Sequence, residues 1–511
     1  RAEPPGISET VARAVRQRVD FGYSAGLVVG VVNREGRAYL GYGGENHQAV
    51  GTPDERTLFE IGSVTKVFTS VLLAEMVARG EVTFDEPVQS LLTGRVVVPR
   101  GSAEISLEHL ATQRSGLPLN PANLCADDAT RPFECYTLER FYSFLNGFNL
   151  PREPGLAWEY SNTGFGLLGH ALVVRSGKPY ESLLRERVLE PLGMTSTFVD
   201  VPADDLDRVA TGYSGVIARP SFRMPVLEGA GALHSTVEDL LTFVSCHLGI
   251  RESPLTSVLR ETQVRRSDTS YAGVGIGLGW WLWALPGGEV VQHGGDTPGF
   301  TSFVGFHPVR GVGVVVLSNA RGGTYSSVLD VGLHLLDSRY PLTSIRRPAT
   351  VDAEALMEET GIYEEPGGDA FEVGFVRDHL VIYHVRSRFE MTLHPESSRR
   401  FAALDLELPP QTTAGFVLDG EGRVTAMDWT QGGRTTRYAR KAAPARIVMT
   451  EDGGRRELAL SGGSGAAYDV EATDDWANWT PVGVLRLPSD RLPDGNGDGF
   501  RARFYRAVRR R

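Results

Sequence analysis

Ser63 and Lys66 lie three residues apart in the segment FEIGSVTKVFTS, and both residue types suit nucleophilic catalysis. Lysine is scarce: it stands only at positions 66, 178 and 441, although the chain holds 52 lysine and arginine residues. A spacing of three places the two side chains on one helical face. A serine hydroxyl needs a base to take its proton, and a buried lysine can supply one whereas arginine stays protonated. The pair predicts a serine nucleophile with a lysine base; the alternative is a capping serine beside a surface lysine.

A second motif, Tyr160-Ser161-Asn162, stands before an apolar helical run at 165–174. A tyrosine near a lysine cation can have a lowered pKa and act as a base. The Asn162 amide can hold a substrate amide or bridge to Lys66. The alternative is purely structural, because Ser161 or Asn162 is also a favoured helix N-cap.

The third motif is His293-Gly294-Gly295, which follows the strand-like run EVVQ. Two glycines allow the backbone to approach a ligand closely. They also leave N–H groups free to form an oxyanion hole. The alternative is an ordinary turn.

Composition restricts the kind of protein that can carry these motifs. The 511 residues suggest about three domains, and the formal net charge of -11 disfavours nucleic acid and anionic membranes as partners. No apolar run reaches the roughly 18 residues that a membrane span needs.

A disulfide between Cys125 and Cys135 would fit an exported protein, and Cys246 is expected to be a small buried residue. The chain begins with Arg1, so we expect that a targeting segment has been removed or the chain trimmed.

The pattern of apolar residues predicts an α+β core. We expect a helix over Ser8–Asp20, strands over Leu27–Asn33 and Arg37–Gly43, and a helix over Ser63–Arg79 that ends at Gly80. Later strand-like runs, separated by turns that indicate antiparallel hairpins, are GIGLGWWLWAL, EVVQHG, FTSFVGFHP and GVGVVVLSN.

The rest of the chain is rich in short strands and turns. We predict a catalytic domain over 1–345, a small β-barrel over 346–442 and a β-rich domain over 443–511, with KAAPAR near 441–446 as a linker.

Together the three motifs resemble one family: the serine beta-lactamases of class C with the related penicillin-binding proteins, D-aminopeptidases and esterases. The order Ser-x-x-Lys, Tyr-x-Asn, Lys/His-x-Gly matches, and so do the flanking segments LEHLATQRSGLP, EPLGMTSTF and VVVLSNA. The resemblance extends over about Ile7–Tyr340. It implies an antiparallel sheet flanked by helices plus a helical subdomain. The segments further on resemble a lipocalin-like β-barrel and a small β-sandwich-like tail.

The resemblance also implies roles for the motif residues. Ser63 would be acylated, Lys66 and Tyr160 would share the proton transfers, and Asn162 would orient the substrate and Lys66. The oxyanion hole would use the backbone N–H groups of Ser63 and Asp296, the residue after His293-Gly294-Gly295. Neither a metal ion nor an organic cofactor is implied.

Two departures from the family pattern bear on the substrate. A histidine replaces the lysine that helps penicillin-targeting members hold a carboxylate, and a mostly neutral histidine weakens that grip. Tyr-Ser-Asn in place of Ser-Asp-Asn argues against a class A mechanism. We therefore expect a peptidase or amidase for short peptides, of aminopeptidase or D-peptidase type. The first alternative is an esterase with the same site. A beta-lactamase and an inactive penicillin-binding or scaffolding module are lower-ranked alternatives. The partner is a small peptide or ester substrate; a homo-oligomer stays open, and we expect export.

Overall fold

The computed structural model describes residues 6–43, 51–125, 133–321, 327–376, 378–387, 389–404, 408, 411–442, 446–452, 455–461, 467–473, 480–486, 491–493 and 504–509. The chain divides into two compact units. The first contains Arg1–Tyr213 and Arg219–Arg346, and the second contains Ser214–Ala218 and Arg347–Arg511. The division into three domains stays a prediction.

Eight strands form the antiparallel sheet of the first unit, and the site is built at this sheet. Up to residue 318 the strands are β1 (Gly26–Asn33), β2 (Gly36–Gly43), β3 (Phe59–Glu60), β4 (Gly212–Ser214), β5 (Ile217–Arg219), β6 (His234–Ser235), β7 (Ser267–Asp268), β8 (Val274–Ile276), β9 (Trp281–Leu285), β10 (Gly288–Asp296), β11 (Thr301–His307) and β12 (Val312–Ser318). The spatial order in the large sheet is β2-β1-β12-β11-β10-β9-β8-β7. Two small pairs, β3-β6 and β4-β5, complete the set.

The helices are mostly short. They are α1 (Glu9–Asp20), α2 (Thr65–Ala78), α3 (Val88–Leu91), α4 (Leu107–Ala111), α5 (Leu138–Gly147), α6 (Asn162–Ser176), α7 (Tyr180–Leu184), α8 (Glu190–Leu192), α9 (Glu228–Gly231), α10 (Val237–His247), α11 (Thr256–Thr262), α12 (Leu329–Leu336) and α13 (Ala353–Glu358). Two 3-10 segments lie at Gly62–Val64 and Ala203–Arg208, and a π-helical turn lies at Arg185–Leu189.

Alternation along β1 shows how the sheet separates two apolar layers. Val28 and Val32 belong to a large core that also contains residues of α2 and α10. Val29 and Val31 belong to a smaller core with residues of α1 and α12. Successive side chains of a strand point to opposite faces, so helices cover the sheet on both sides. The α+β fold class is confirmed.

The predicted elements of the first unit mostly agree with the structure. Ser8 caps α1 by accepting a hydrogen bond from the Val11 N–H at 3.3 Å. The strand-like run GIGLGWWLWAL contributes to two strands, β8 and β9, and the turn between them was not predicted. Gly279 has φ +74° in that turn, and a Cβ on Gly277 would lie 2.5 Å from the Thr262 carbonyl oxygen. The run therefore bends where these glycines allow it.

The second unit contains a closed eight-stranded barrel that follows α13. Its strands are β13 (Gly361–Glu364), β14 (Ala370–Val376), β15 (His379–His384), β16 (Phe389–Pro395), β17 (Arg400–Ala403), β18 (Thr413–Leu418), β19 (Val424–Gln431) and β20 (Arg434–Ala442). Tyr363, Phe401 and Met427 are fully buried in the barrel core. The barrel was predicted; the short helix α13 before it was not.

The C-terminal strands form two three-stranded sheets, β21-β22-β25 and β24-β23-β26. Their bounds are β21 (Arg446–Asp452), β22 (Arg455–Ser461), β23 (Ala467–Thr473), β24 (Thr480–Arg486), β25 (Arg491–Pro493) and β26 (Phe504–Arg509). This agrees with the expected β-rich tail. Residues 443–445 of the predicted linker lie outside the described residues.

Two further expectations concern cysteines and membrane spans. Cys125 and Cys135 are joined by a disulfide, and Cys246 is a buried free cysteine. In the described part of the chain, every helix falls short of the length and apolar character that a membrane span requires.

Candidate active site

Ser63 stands at the start of a helix, in the middle of the 3-10 turn Gly62–Val64 that leads into α2. Gly62 has φ +49°, a left-handed conformation that favours glycine. The Val64 N–H donates to the Ile61 carbonyl at 3.2 Å and closes the turn. The serine side chain is half-buried. Unpaired N–H groups at a helix start favour negative charge that develops on a substrate oxygen.

Lys66 is fully buried and lies one turn further along, as the spacing predicted. Its Nζ is 2.9 Å from Ser63 Oγ and 2.6 Å from the Ala230 carbonyl oxygen. Burial lowers the pKa of Lys66 well below the ordinary lysine value. A neutral amine can donate to the Ala230 carbonyl and use its lone pair to accept the Ser63 hydroxyl proton. The arrangement therefore has a base in contact with the nucleophile.

Tyr160 lies over this pair, with its ring centroid 4.9 Å from Lys66 Nζ. The expectation of a lowered tyrosine pKa was wrong for this pocket. Burial raises the pKa of Tyr160; a hydrogen bond with Ser63 opposes the increase and the Asp296 charge adds to it. Because burial disfavours the charged form of both groups, it favours a neutral Lys66 amine and a protonated Tyr160 phenol. Tyr160 is thus suited to donate a proton rather than to take the first one.

Gln113 holds the tyrosine segment in place, and sequence reasoning missed it. Its backbone has φ 60°, which is uncommon for a residue other than glycine. Its carbonyl accepts from the Glu159 N–H at 2.8 Å, and its side-chain Oε1 accepts from the Ser161 N–H at 2.7 Å. These bonds fix the chain on both sides of Tyr160. The quoted segment LEHLATQRSGLP contains Gln113, but nothing in its residue types indicates this contact.

Ser161 has the structural role that was the alternative for this motif, and Asn162 contacts another asparagine. Ser161 is the N-cap of α6, and its Oγ accepts from the Gly164 N–H at 2.8 Å. Asn162 Nδ2 donates to Asn120 Oδ1 at 2.9 Å. Among the hydrogen bonds of the described residues, none joins Asn162 to Lys66. The expected bridge from Asn162 to Lys66 was therefore wrong. The role of Asn162 in orienting the substrate stays a prediction.

His293 is buried in β10 and carries no positive charge. Burial, followed by the repulsion that a protonated Lys66 would exert, lowers the pKa of His293 to about 3, although the bond to the Gly294 carbonyl opposes the change. Its Nδ1 lies 2.5 Å from that carbonyl oxygen, so a neutral ring donates from Nδ1 and carries its acceptor lone pair on Nε2. The ring therefore offers no cation to a substrate carboxylate.

Gly295 brings the end of β10 against the nucleophile turn. A Cβ there would lie 2.0 Å from the Ile61 carbonyl oxygen and 2.9 Å from the Ser63 nitrogen. From the other side, a Cβ on Gly62 would lie 2.9 Å from the Asp296 nitrogen. The backbones of Ser63 and Asp296 are thus neighbours, as the predicted oxyanion hole requires. Gly294 is different, because a Cβ there would meet only the Ser302 carbonyl oxygen at 3.5 Å.

The remaining charges near the nucleophile are few. Burial raises the pKa of Asp296, while a hydrogen bond from Thr301 and the charge of Arg321 oppose that shift. Across the described ranges there is no group of three or more His, Cys, Asp or Glu side chains that could hold a metal ion. The chemistry this arrangement supports is acyl transfer from a serine, with Lys66 and Tyr160 handling protons.

Known proteins resemble this chain over most of its first unit. The family model described as beta-lactamase matches residues 11–335. A beta-lactamase of Pseudomonas fluorescens is 30% identical over 351 residues, which cover 61% of this chain and 92% of that protein. A D-alanyl-D-alanine-carboxypeptidase/endopeptidase AmpH of Escherichia coli K12 is 27% identical over 331 residues, 62% of this chain and 84% of the relative.

Solved structures point the same way. The crystal structure of a class C beta-lactamase from Rhodobacter sphaeroides has a TM-score of 0.56 and 25% identity, and covers 65% of this chain and 99% of its own. The family model spans well over half of the 511 residues. The chain therefore belongs to the family of serine beta-lactamase-like hydrolases.

Proposed function

We propose that this hydrolase cleaves amide bonds of short peptides through an acyl-enzyme on Ser63. The observation that carries the proposal is the contact between Ser63 Oγ and the buried Lys66 Nζ at 2.9 Å, with Tyr160 beside both. Burial lowers the pKa of the Lys66 amine and raises the pKa of the Tyr160 phenol, which favours the neutral form of both groups. A base and an acid are then both ready before substrate binds.

The chemical steps follow from these protonation states. Lys66 takes the Ser63 proton as Oγ attacks the substrate carbonyl carbon. The backbone N–H groups of Ser63 and Asp296 stabilise the oxyanion. When the C–N bond breaks, Tyr160 donates its proton to the leaving nitrogen. Water then attacks the acyl-enzyme and gives a proton to the Tyr160 phenolate. The Lys66 ammonium returns its proton to Ser63 Oγ as the acyl bond breaks, and the Ser63 hydroxyl is restored.

A protonated Tyr160 favours amides over esters as the preferred substrate. An amine leaves poorly unless its nitrogen is protonated, whereas a good alcohol leaving group departs with less help. The neutral His293 disfavours substrates held by a carboxylate next to the reacting bond, as in penicillin-type lactams. One similar protein is a D-alanyl-D-alanine-carboxypeptidase/endopeptidase, so peptides with D-residues belong in the first test. Esterase activity at the same site is the second candidate.

One substrate panel tests the proposal on the native chain and on Ser63→Ala. It contains L- and D-aminoacyl anilides, short peptides with free and blocked termini, p-nitrophenyl acetate and butyrate, and nitrocefin. We expect turnover of anilides or peptides that disappears in Ser63→Ala. Turnover of esters alone would favour the esterase. Activity that survives the serine substitution would refute the proposed nucleophile.

We further propose that the protein is exported. The disulfide between Cys125 and Cys135 supports this, because such bonds persist in oxidising compartments. Cell fractionation followed by immunoblotting would test it; a purely cytoplasmic signal would contradict it.

A further inference from the structure

A cavity of about 480 Å³ lies in the first unit, at the turn between β7 and β8 and along β9. Its size falls within the usual range for small-molecule sites. Its walls are mainly aromatic and apolar: Tyr271, Ala272, Gly273, Val274, Trp281, Trp283 and Ala284. None of the residues assigned to the chemical steps above is part of this lining.

One ring connects the cavity to the candidate active site. Trp281 lines the cavity and stacks on Tyr160, with ring centroids 6.3 Å apart and planes 27° apart. The same indole ring lies 6.4 Å from the His293 ring. A group bound against Trp281 would therefore contact a ring that itself packs on the proposed proton donor.

A further aromatic ring, outside the cavity lining, packs against the rings that line the cavity. Trp158 packs edge-on against Trp281 at 5.0 Å and against Tyr271 at 5.7 Å. Tyr271 also contacts Trp281 at 6.0 Å, yet 58% of its surface stays exposed. Large aromatic side chains exposed beside a cleft are typical of ligand contacts, since they supply apolar area with little loss of rotational freedom.

Two indole N–H groups in this cluster lack a partner. Trp158 Nε1 and Trp283 Nε1 are buried and have no hydrogen-bond acceptor among the described residues. Buried donors normally have one. Both nitrogens have almost no accessible surface, so a bound molecule would contact the ring surfaces rather than these two donors.

We propose that this cavity is a subsite for a large apolar group, preferentially an aromatic ring, on the leaving-group side of the scissile bond. It lies on the side of Tyr160, which protonates the leaving nitrogen in the mechanism above. The assignment to the leaving-group side rests on the proposed function, in which Tyr160 is the proton donor. For a peptide, the occupant is the side chain of the residue that follows the cleaved bond.

The kinetic test compares leaving groups that differ in one side chain. The acyl residue is the one that the first panel shows to be cleaved, and the leaving groups are glycinamide, leucinamide, phenylalaninamide and lysinamide. In the native chain we expect kcat/KM for phenylalaninamide to exceed that for glycinamide by about 10- to 100-fold, the range for burying one such ring. Tyr271→Ala should reduce that ratio by about tenfold.

A matched control lies at the opposite edge of the same sheet. Tyr39 in β2 is also exposed, at 36%, and Tyr39→Ala should leave the ratio unchanged. Equal rates for glycinamide and phenylalaninamide, or an unchanged ratio in Tyr271→Ala, would overturn the inference. A preference for lysinamide that Tyr271→Ala removes would also overturn it, because the rings would then hold a cation.

A binding measurement separates this inference from the proposed function. Free phenylalaninamide and glycinamide are titrated into the Ser63→Ala chain by calorimetry, with and without Tyr271→Ala. We expect phenylalaninamide to bind more tightly by about tenfold or more, and Tyr271→Ala to remove most of the difference. Equal affinities would refute the subsite even if Ser63 is the nucleophile. Selective binding without any turnover would leave the subsite standing and refute the proposed function.

Discussion

Substituting alanine for Gly295 should disable the candidate site with one methyl group. The added Cβ would lie 2.0 Å from the Ile61 carbonyl oxygen, whereas real Cβ contacts essentially never fall below 3.0 Å. The end of β10 and the nucleophile turn must then separate by about 1 Å. A misplacement of that size can cost about 10²-fold, and losing one oxyanion donor costs about 10²–10³-fold. We expect kcat/KM to fall by about 10²–10³-fold.

Gly294 provides the matched control for this change. A Cβ at Gly294 would meet the Ser302 carbonyl oxygen at 3.5 Å, an ordinary contact. Both variants are assayed with the best substrate of the panel, and thermal unfolding is followed by circular dichroism. Gly294→Ala should keep activity within about threefold of the native chain, well below the cost of a lost oxyanion donor. The reasoning fails if Gly295→Ala stays folded and equally active, or if the two variants lose activity alike.

Three further changes test the protonation states and the core. Lys66→Arg should lower kcat/KM by about 10²–10⁴-fold, because a guanidinium stays protonated. In the native chain burial lowers the pKa of Lys66, so activity should be lost only as the pH falls through that lowered pKa. Tyr160→Phe should reduce amide hydrolysis by about 10²–10⁴-fold and p-nitrophenyl ester hydrolysis much less. Arg18→Ala should destabilise the fold by about 3–5 kcal/mol in urea unfolding, because buried Arg18 donates to both Asp330 carboxylate oxygens at 2.8 and 2.7 Å.

Each change has a control on the same chain. Lys178 is partly exposed, so Lys178→Arg should be silent in the activity assay. Tyr39→Phe removes a phenol hydroxyl far along the sheet and should not alter the amide-to-ester ratio. Arg13 is exposed on the same helix as Arg18, and Arg13→Ala should cost under about 0.5 kcal/mol. An active Lys66→Arg, an unchanged amide-to-ester ratio in Tyr160→Phe, or equal stabilities of the two arginine variants would contradict the respective argument.

Much of the first unit could be predicted because its signals are local. Helix α1 and the pair β1-β2 agree with the predicted ranges to within a residue. The run GIGLGWWLWAL was predicted to be strand-like without the bend inside it, because its apolar residues continue through the bend and composition does not show the glycine conformations there. The helix α13 was missed because its six residues are too few to show a helical period.

The sequence by itself determined which groups can react. The spacing of Ser63 and Lys66 is a property of one helix, so local geometry alone predicts their contact. The order of the motifs and the scarcity of lysine could also be seen in the sequence. The tertiary structure decided how those groups are charged and what surrounds them. Burial depends on residues distant in the chain, so the neutral Lys66 and the protonated Tyr160 appear only once the core is assembled. The same holds for the bond between Gln113 and Ser161 and for the stacking of Trp281 on Tyr160, which join segments more than 40 residues apart.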